Sequence, residues 1–254
     1  MINWRLFNTN RGLSAKKYAF YFGNYDFPEP NNTEISRLIP RSTVGWGGRA
    51  VEMRANKTHF DRFENDDLQF TELMEKYKIY QAFNKLKEDT LVAGCSFLAL
   101  VGDRVLPFTA QEASGRFNWQ EQMLSSGVAA FTNDTRSIAG VNVPEEFMAF
   151  YKDRTVIKRR AEEEEIIPNP TGRPLIGLLT HHATTKRPFG NSVLVRPARD
   201  AIQDASRTLH QAMISAYLYN RKVDVLLGVD TSTEVEKSKT VAGDVLMVSP
   251  NDDG

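Results

Sequence analysis

Few groups in this chain are suited to chemistry: four histidines, one cysteine and a run of glutamates. His181 and His182 are adjacent in an apolar stretch that reads as a strand. Neighbours in a strand point to opposite faces, so the pair reads as half-exposed strand residues rather than as two ligands of one metal. His210 lies beside the apolar stripe of a helical segment and reads as a packing or interface residue; His59 sits in a polar stretch and carries no signal. Glu162 to Glu165 could offer oxygens to a hard cation. Carboxylates adjacent in sequence cannot all converge on one ion, and beside the basic Lys158, Arg159 and Arg160 they read as a solvated loop with local ion pairs. Cys95, inside VAGCSFLALV, reads as a buried small hydrophobe. The chain has no Walker loop, dinucleotide fingerprint, H-E-x-x-H, paired C-x-x-C or G-x-S-x-G. The expectation is no catalytic residue, no cofactor and no metal.

Aromatic residues are the other chemical resource. Trp4, Phe7, Tyr18, Phe20, Tyr21, Phe22, Tyr25 and Phe27 crowd the N-terminal stretch. Interleaved with cations they could stack on single-stranded bases. Few cations accompany them, so anchoring in the chain's own core or in a neighbouring subunit is the better reading.

The whole chain is balanced. Lys+Arg and Asp+Glu are 32 each, giving a formal net charge of zero, while 41% of residues are apolar. That composition suits a folded protein and provides no global field to draw it to DNA or to an anionic membrane. Contact with nucleic acid would have to come from local patches or from geometry. The N-terminus has no signal-peptide pattern and no segment reads as membrane-spanning, so neither secretion nor a membrane partner is expected.

The elements that must position these residues change character along the chain. The first sixty residues contain YFGNYDFPEPNN, whose Gly, Pro and Asn breakers predict an irregular aromatic arm. From Leu73 apolar residues recur every three or four positions up to Gly94, predicting an amphipathic helix. CSFLALV and RVLPF around Gly102-Asp103 predict a hairpin, FMAFY and TVIKR a second one, and GVAAF a further strand. The stretch after Arg160, AEEEEIIPNPTGRP, reads as an exposed connection and as the best domain boundary. PLIGLLTHH then reads as a strand. A long helix starts near Pro197, with Ile202, Ala205, Leu209, Met213 and Ala216 as its apolar stripe; ending at Lys222 it would be about 37 Å long. VDVLLGVD and VAGDVLMVS read as two late strands. Helices and antiparallel strands together give an α+β class.

The order of these features resembles the portal proteins of tailed bacteriophages. The resemblance is carried by Tyr25-Asp26-Phe27, by VGWGGRAVEM, by the helix from Asn84 to Gly94 feeding CSFLALV, and by PLIGLL followed by FGNSVLVRPARDAIQDA. It covers residues 44–228. It implies a wing domain with the aromatic N-terminal arm at 1–190, a first stem helix at 191–224 and the beginning of a small α/β clip at 225–254. A complete subunit of that family would continue through a second stem helix, a tunnel loop and a crown, so the chain is expected to be part of a longer one.

The resemblance further implies a non-enzymatic subunit of a homo-oligomeric ring, a dodecamer, at one vertex of the capsid in the virion, assembled in the host cytoplasm. Double-stranded DNA would pass along its axis without sequence specificity. Implied partners are the major capsid protein, the terminase and the head-tail adaptor. Arg199, Asp200, Asp204, Arg207, Leu209 and Met213 are then candidates for the subunit interface or channel wall, and Glu234, Glu236, Lys237 and Lys239 for docking of terminase or adaptor on the clip. Zero net charge suits a duct along which DNA must slide, since many cation–phosphate contacts would hold it. The alternatives are a metal-dependent phage nuclease using Glu162 to Glu165, or another capsid or connector component.

Overall fold

A computed structural model of the chain describes residues 3–25, 44–60, 70–138, 140–160, 162–219, 225–227 and 246–248. The described elements are mixed α and β, with antiparallel sheets and a long helix late in the chain.

The N-terminal stretch is not the irregular arm that its breakers suggest. Residues Trp4–Phe22 form α1, and Gly23 ends it in the left-handed region at φ 73°. Asn3 starts it, its side chain accepting from the Leu6 N–H at 3.0 Å. Gly23 and Asn24 fall after the helix, so they terminate a long element instead of preventing one. Phe7, Tyr18 and Tyr25 are buried in the chain's own core, whereas Phe22 is 64% exposed. Phe7 is buried against Val128, Val143 and Phe147, and Trp4 meets Phe147 edge-on with ring centroids 4.8 Å apart. Residues 26–43, with Phe27 among them, lie outside the described residues.

Helix α2, Trp46–Ala55, buries Gly47, Val51 and Ala55 at every fourth position. Its glycine pair answers to close approach, because a Cβ on Gly47 would lie 2.3 Å from the Phe20 carbonyl oxygen. The periodic run before Gly94 is two helices, α3 (Phe70–Lys76) and α4 (Ile79–Ala93), separated at Lys78 with φ 51°. Of the regularly spaced apolar residues, Leu86 is buried and Tyr77 and Phe83 are half-buried, while Leu73 and Tyr80 are exposed.

The strands form a three-stranded sheet, order β10-β1-β2, and a five-stranded sheet, order β3-β4-β7-β8-β9. Both expected hairpins are present: β1 (Cys95–Val101) with β2 (Arg104–Thr109), and β7 (Phe147–Phe150) with β8 (Arg154–Lys158). GVAAF lies in and just after β4 (Met123–Ala130), which pairs with β3 (Ala113–Asn118) and β7. A small hairpin, β5 (Thr135–Ile138) with β6 (Val141–Pro144), packs on α1, where Asn8 Nδ2 donates to the Asn142 carbonyl at 2.8 Å.

The stretch after Arg160 is exposed over 162–168 and buries Asn169. Residues Glu165–Pro168 form β9 on the outer side of β8, and both sides of Arg160 belong to one compact unit. That unit comprises residues 1–25 and 45–199; the second comprises 26–44 and 200–254. PLIGLL supplies β10 (Ile176–Thr180), and the long helix is α5, Arg196–Tyr219. In the second unit, β11 (Val225–Leu227) and β12 (Leu246–Val248) pair in parallel.

Candidate functional site

A helix C-terminus leaves its last carbonyls without intrahelical donors. At the end of α4 other parts of the first unit supply those donors. The Leu91 oxygen accepts from the Val193 N–H at 2.9 Å, the Val92 oxygen from Ser192 Oγ at 2.5 Å, the Ala93 oxygen from Lys17 Nζ, and the Gly94 oxygen from the His181 N–H at 2.9 Å. Three of the four donors come from 181–193, the segment that leads into α5. Leu194 N–H closes the arrangement by donating to Ser192 Oγ at 2.9 Å.

Two glycines make this joint possible. Gly94 caps α4 at φ 98°, and Gly190 sits at φ 69°, conformations that L side chains rarely adopt. A Cβ on Gly190 would lie 2.4 Å from both the Gly94 and the His181 carbonyl oxygens. Around them, Asn191 N–H donates to the His181 oxygen at 2.7 Å, Asn191 Nδ2 to the His182 oxygen at 2.9 Å, and Arg187 to Asn191 Oδ1 at 2.8 Å. His181 Nδ1 lies 2.8 Å from the Asn191 carbonyl oxygen, so that nitrogen carries the proton and donates. Strand β10 ends before the two histidines; His182 turns at φ 51°, and the rings meet edge-on at 4.7 Å. This corrects the expectation of opposite strand faces.

Helix α1 is tied to α4 by two tyrosines. Tyr18 Oη donates to Asp89 at 2.5 Å and Tyr21 Oη to Glu88 at 3.2 Å. Burial, with Asp89 adding to it, raises the Tyr18 hydroxyl far above its usual range; Tyr21 is pushed up to about 12 by burial and then by Glu88. Burial also raises the Asp89 carboxyl, opposed by the Tyr18 bond. The Cys95 thiol is pushed up to about 11 by burial, which outweighs the opposing field of Lys17. The thiol is therefore protonated at neutral pH, as its apolar setting implied.

The acidic run is exposed. Arg159 pairs with Glu162 and Glu165 at 3.3 Å each, and Arg160 pairs with Glu145 at 3.0 Å and Asp134 at 3.6 Å. Among the described residues no group of three or more His, Cys, Asp or Glu is placed to hold a metal ion. No described helix is long and apolar enough to cross a membrane.

Helix α5 carries the other candidates. Its 24 residues span about 36 Å, with Pro197 in the first turn. Arg199 places its guanidinium 5.6 Å over the Phe20 ring, and Asp204 pairs with Arg207 at 3.1 Å. The buried positions are Ile202, Ser206 and His210, one side of the expected stripe. Of that stripe only Ile202 is fully buried; Ala205 and Met213 are half-buried, while Leu209 (42% exposed) and Ala216 face out. Ser206 Oγ accepts from the Val44 N–H at 3.2 Å, and a hydrophobicity count does not score serine or histidine as inward-facing. His210 is a buried packing residue, as its place beside the stripe suggested. Asp200 is exposed. Glu234, Glu236, Lys237 and Lys239 lie outside the described residues.

No family model matches this chain, and no curated protein matches it. The joint was not legible as chemistry, although Gly94, Gly190 and Ser192 all stand in the phrases that carry the portal resemblance.

Proposed function

We propose that this chain is a portal-like subunit: a non-enzymatic protein that assembles with copies of itself into a ring, a dodecamer in the virion, at one capsid vertex. Double-stranded DNA passes through the ring during packaging and ejection. The major capsid protein, the terminase and a head-tail adaptor are its partners. The observation that carries the reading is α5, a long helix that follows an α+β unit in the order the resemblance requires and leaves Leu209 42% exposed. A long helix of this kind suits a wall built from equivalent helices of sister molecules. The anchored 181–193 segment supports the same reading, since a wall built from identical helices needs each to start from a fixed point.

The test is negative-stain microscopy with mass photometry on the full chain at micromolar concentration. Closed rings with a central hole are expected. A monomer throughout, or Mg²⁺-dependent cleavage of plasmid DNA that disappears when Glu162 to Glu165 become alanine, removes the proposal.

A further inference from the structure

The five-stranded sheet has two unlike ends. At the β3–β4 end a groove of about 800 Å³ opens between the sheet face, the first turn of α1 and the β5–β6 hairpin. The register sets Arg116 opposite Ser126 and Ser114 opposite Val128, so these four share one face. Asn10 Nδ2 donates to Ser114 Oγ at 2.9 Å, which turns that face toward α1. Leu6 (40% exposed) and Ile138 (46%) are apolar walls. Arg5 and Arg116 bring positive charge, and no described lining residue is acidic. Both arginine side chains are exposed, and no ion pair joins either to a described carboxylate.

The other end mixes both signs, with Arg159 holding Glu162 and Glu165. Strand β9 is an outer strand exposed at all four residues, with Ile166 at 61% and Ile167 at 36%. Glu163 and Glu164 lead into it, exposed, with no ion pair to a described cation. An outer strand that holds two isoleucines in solvent gains nothing for a lone molecule and is a template for pairing.

We propose that residues 163–168 of one copy seat in the β3–β4 groove of the next. Ile166 packs on Leu6 and Ile138, while Glu163 and Glu164 meet Arg5 and Arg116. The occupant is a second copy because the chain itself carries the matching segment, acidic and isoleucine-bearing where the groove is basic and apolar-walled. Contact between two different surfaces is head-to-tail, and a head-to-tail contact repeats until it closes into a ring or runs on as a filament. Charge complementarity of this kind fixes which surfaces meet. The inference rests on the self-assembly part of the portal-like reading and names the surfaces that perform it.

Two charge-reversed full-length variants test it, Arg5→Glu with Arg116→Glu and Glu163→Lys with Glu164→Lys. Mass photometry across a dilution series reads assembly, and thermal melts by circular dichroism check the fold. Each variant alone is expected to need at least about tenfold more protein to assemble. A one-to-one mixture restores assembly, because each variant then finds the opposite charge on its neighbour. Arg5→Gln with Arg116→Gln replaces the reversal if that one melts early, with the same loss expected. Wild-type rings with unaffected variants, or folded variants that do not recover on mixing, overturn this contact and leave the ring reading standing. A wild-type chain that stays monomeric overturns both.

Discussion

The joint at Gly94 and Gly190 and the outer strand β9 belong to one compact unit and use their residues in opposite ways. In the joint the carbonyls at the end of α4 are all bonded, and Gly190 has no room for even a methyl group. In β9 every residue is exposed, and two isoleucines stand in solvent. Residue identity in the joint is dictated by the chain's own backbone. In β9 the chain fixes the backbone through β8 and Glu165 through Arg159, and leaves the two isoleucines to solvent. The contrast separates residues that the fold dictates from residues that it leaves at the surface.

Substitution at Gly190 should have the largest effect. Gly190→Ala places a Cβ against two backbone oxygens at a positive φ, and a loss on the order of 4 kcal/mol is expected from clash and strain together. A chemical-denaturation midpoint reads it, and a midpoint near the wild type would mean that the joint is loose. Ser192→Ala removes a donor to the Val92 oxygen and an acceptor for Leu194 N–H, both buried, at a cost of roughly 1–3 kcal/mol in the same assay.

Asp89 makes the α1–α4 contact sensitive to pH. Its carboxyl is raised in the folded state, so the folded chain holds that proton more tightly than the unfolded one. Its ionisation costs stability as pH rises from the ordinary carboxylate range through the raised value, and acidification relieves the cost. Asp89→Asn, which can still accept from Tyr18, should flatten the fall in Tm over that window without lowering Tm at pH 7. An unchanged slope would assign the pH dependence to other groups. Ile166→Ser, at the opposite extreme from Gly190, should shift the stability of the isolated chain by no more than about 0.5 kcal/mol. A larger loss would place Ile166 in the chain's own core.

Much of the fold was legible where one pattern dominates. CSFLALV, FMAFY and PLIGLL combine short apolar runs with clear turns, and α5 shows helical spacing behind a proline. Two helices hid in the N-terminal stretch because breakers in 23–32 colour the whole region, although the capping Asn3 and the proline-free run after it were readable. β9 hid because four glutamates and three prolines mark 161–174 as loop, and pairing with β8 overrides that composition. The buried stripe of α5 was misplaced by one position because Ser206 and His210 face inward through polar side chains. The joint was present only as glycines and a serine in unexplained phrases. Its cause is the close approach of two segments about a hundred residues apart, which local spacing does not encode.

Helix α5 is expected to complete its exposed side with copies of the same chain. A photo-crosslinking amino acid at Leu209 of the full-length protein tests it, with linked peptides mapped by mass spectrometry. A ladder of covalent oligomers is expected, with links that join two molecules of this chain. Capture confined to the same molecule, with no species above monomer mass, would contradict it.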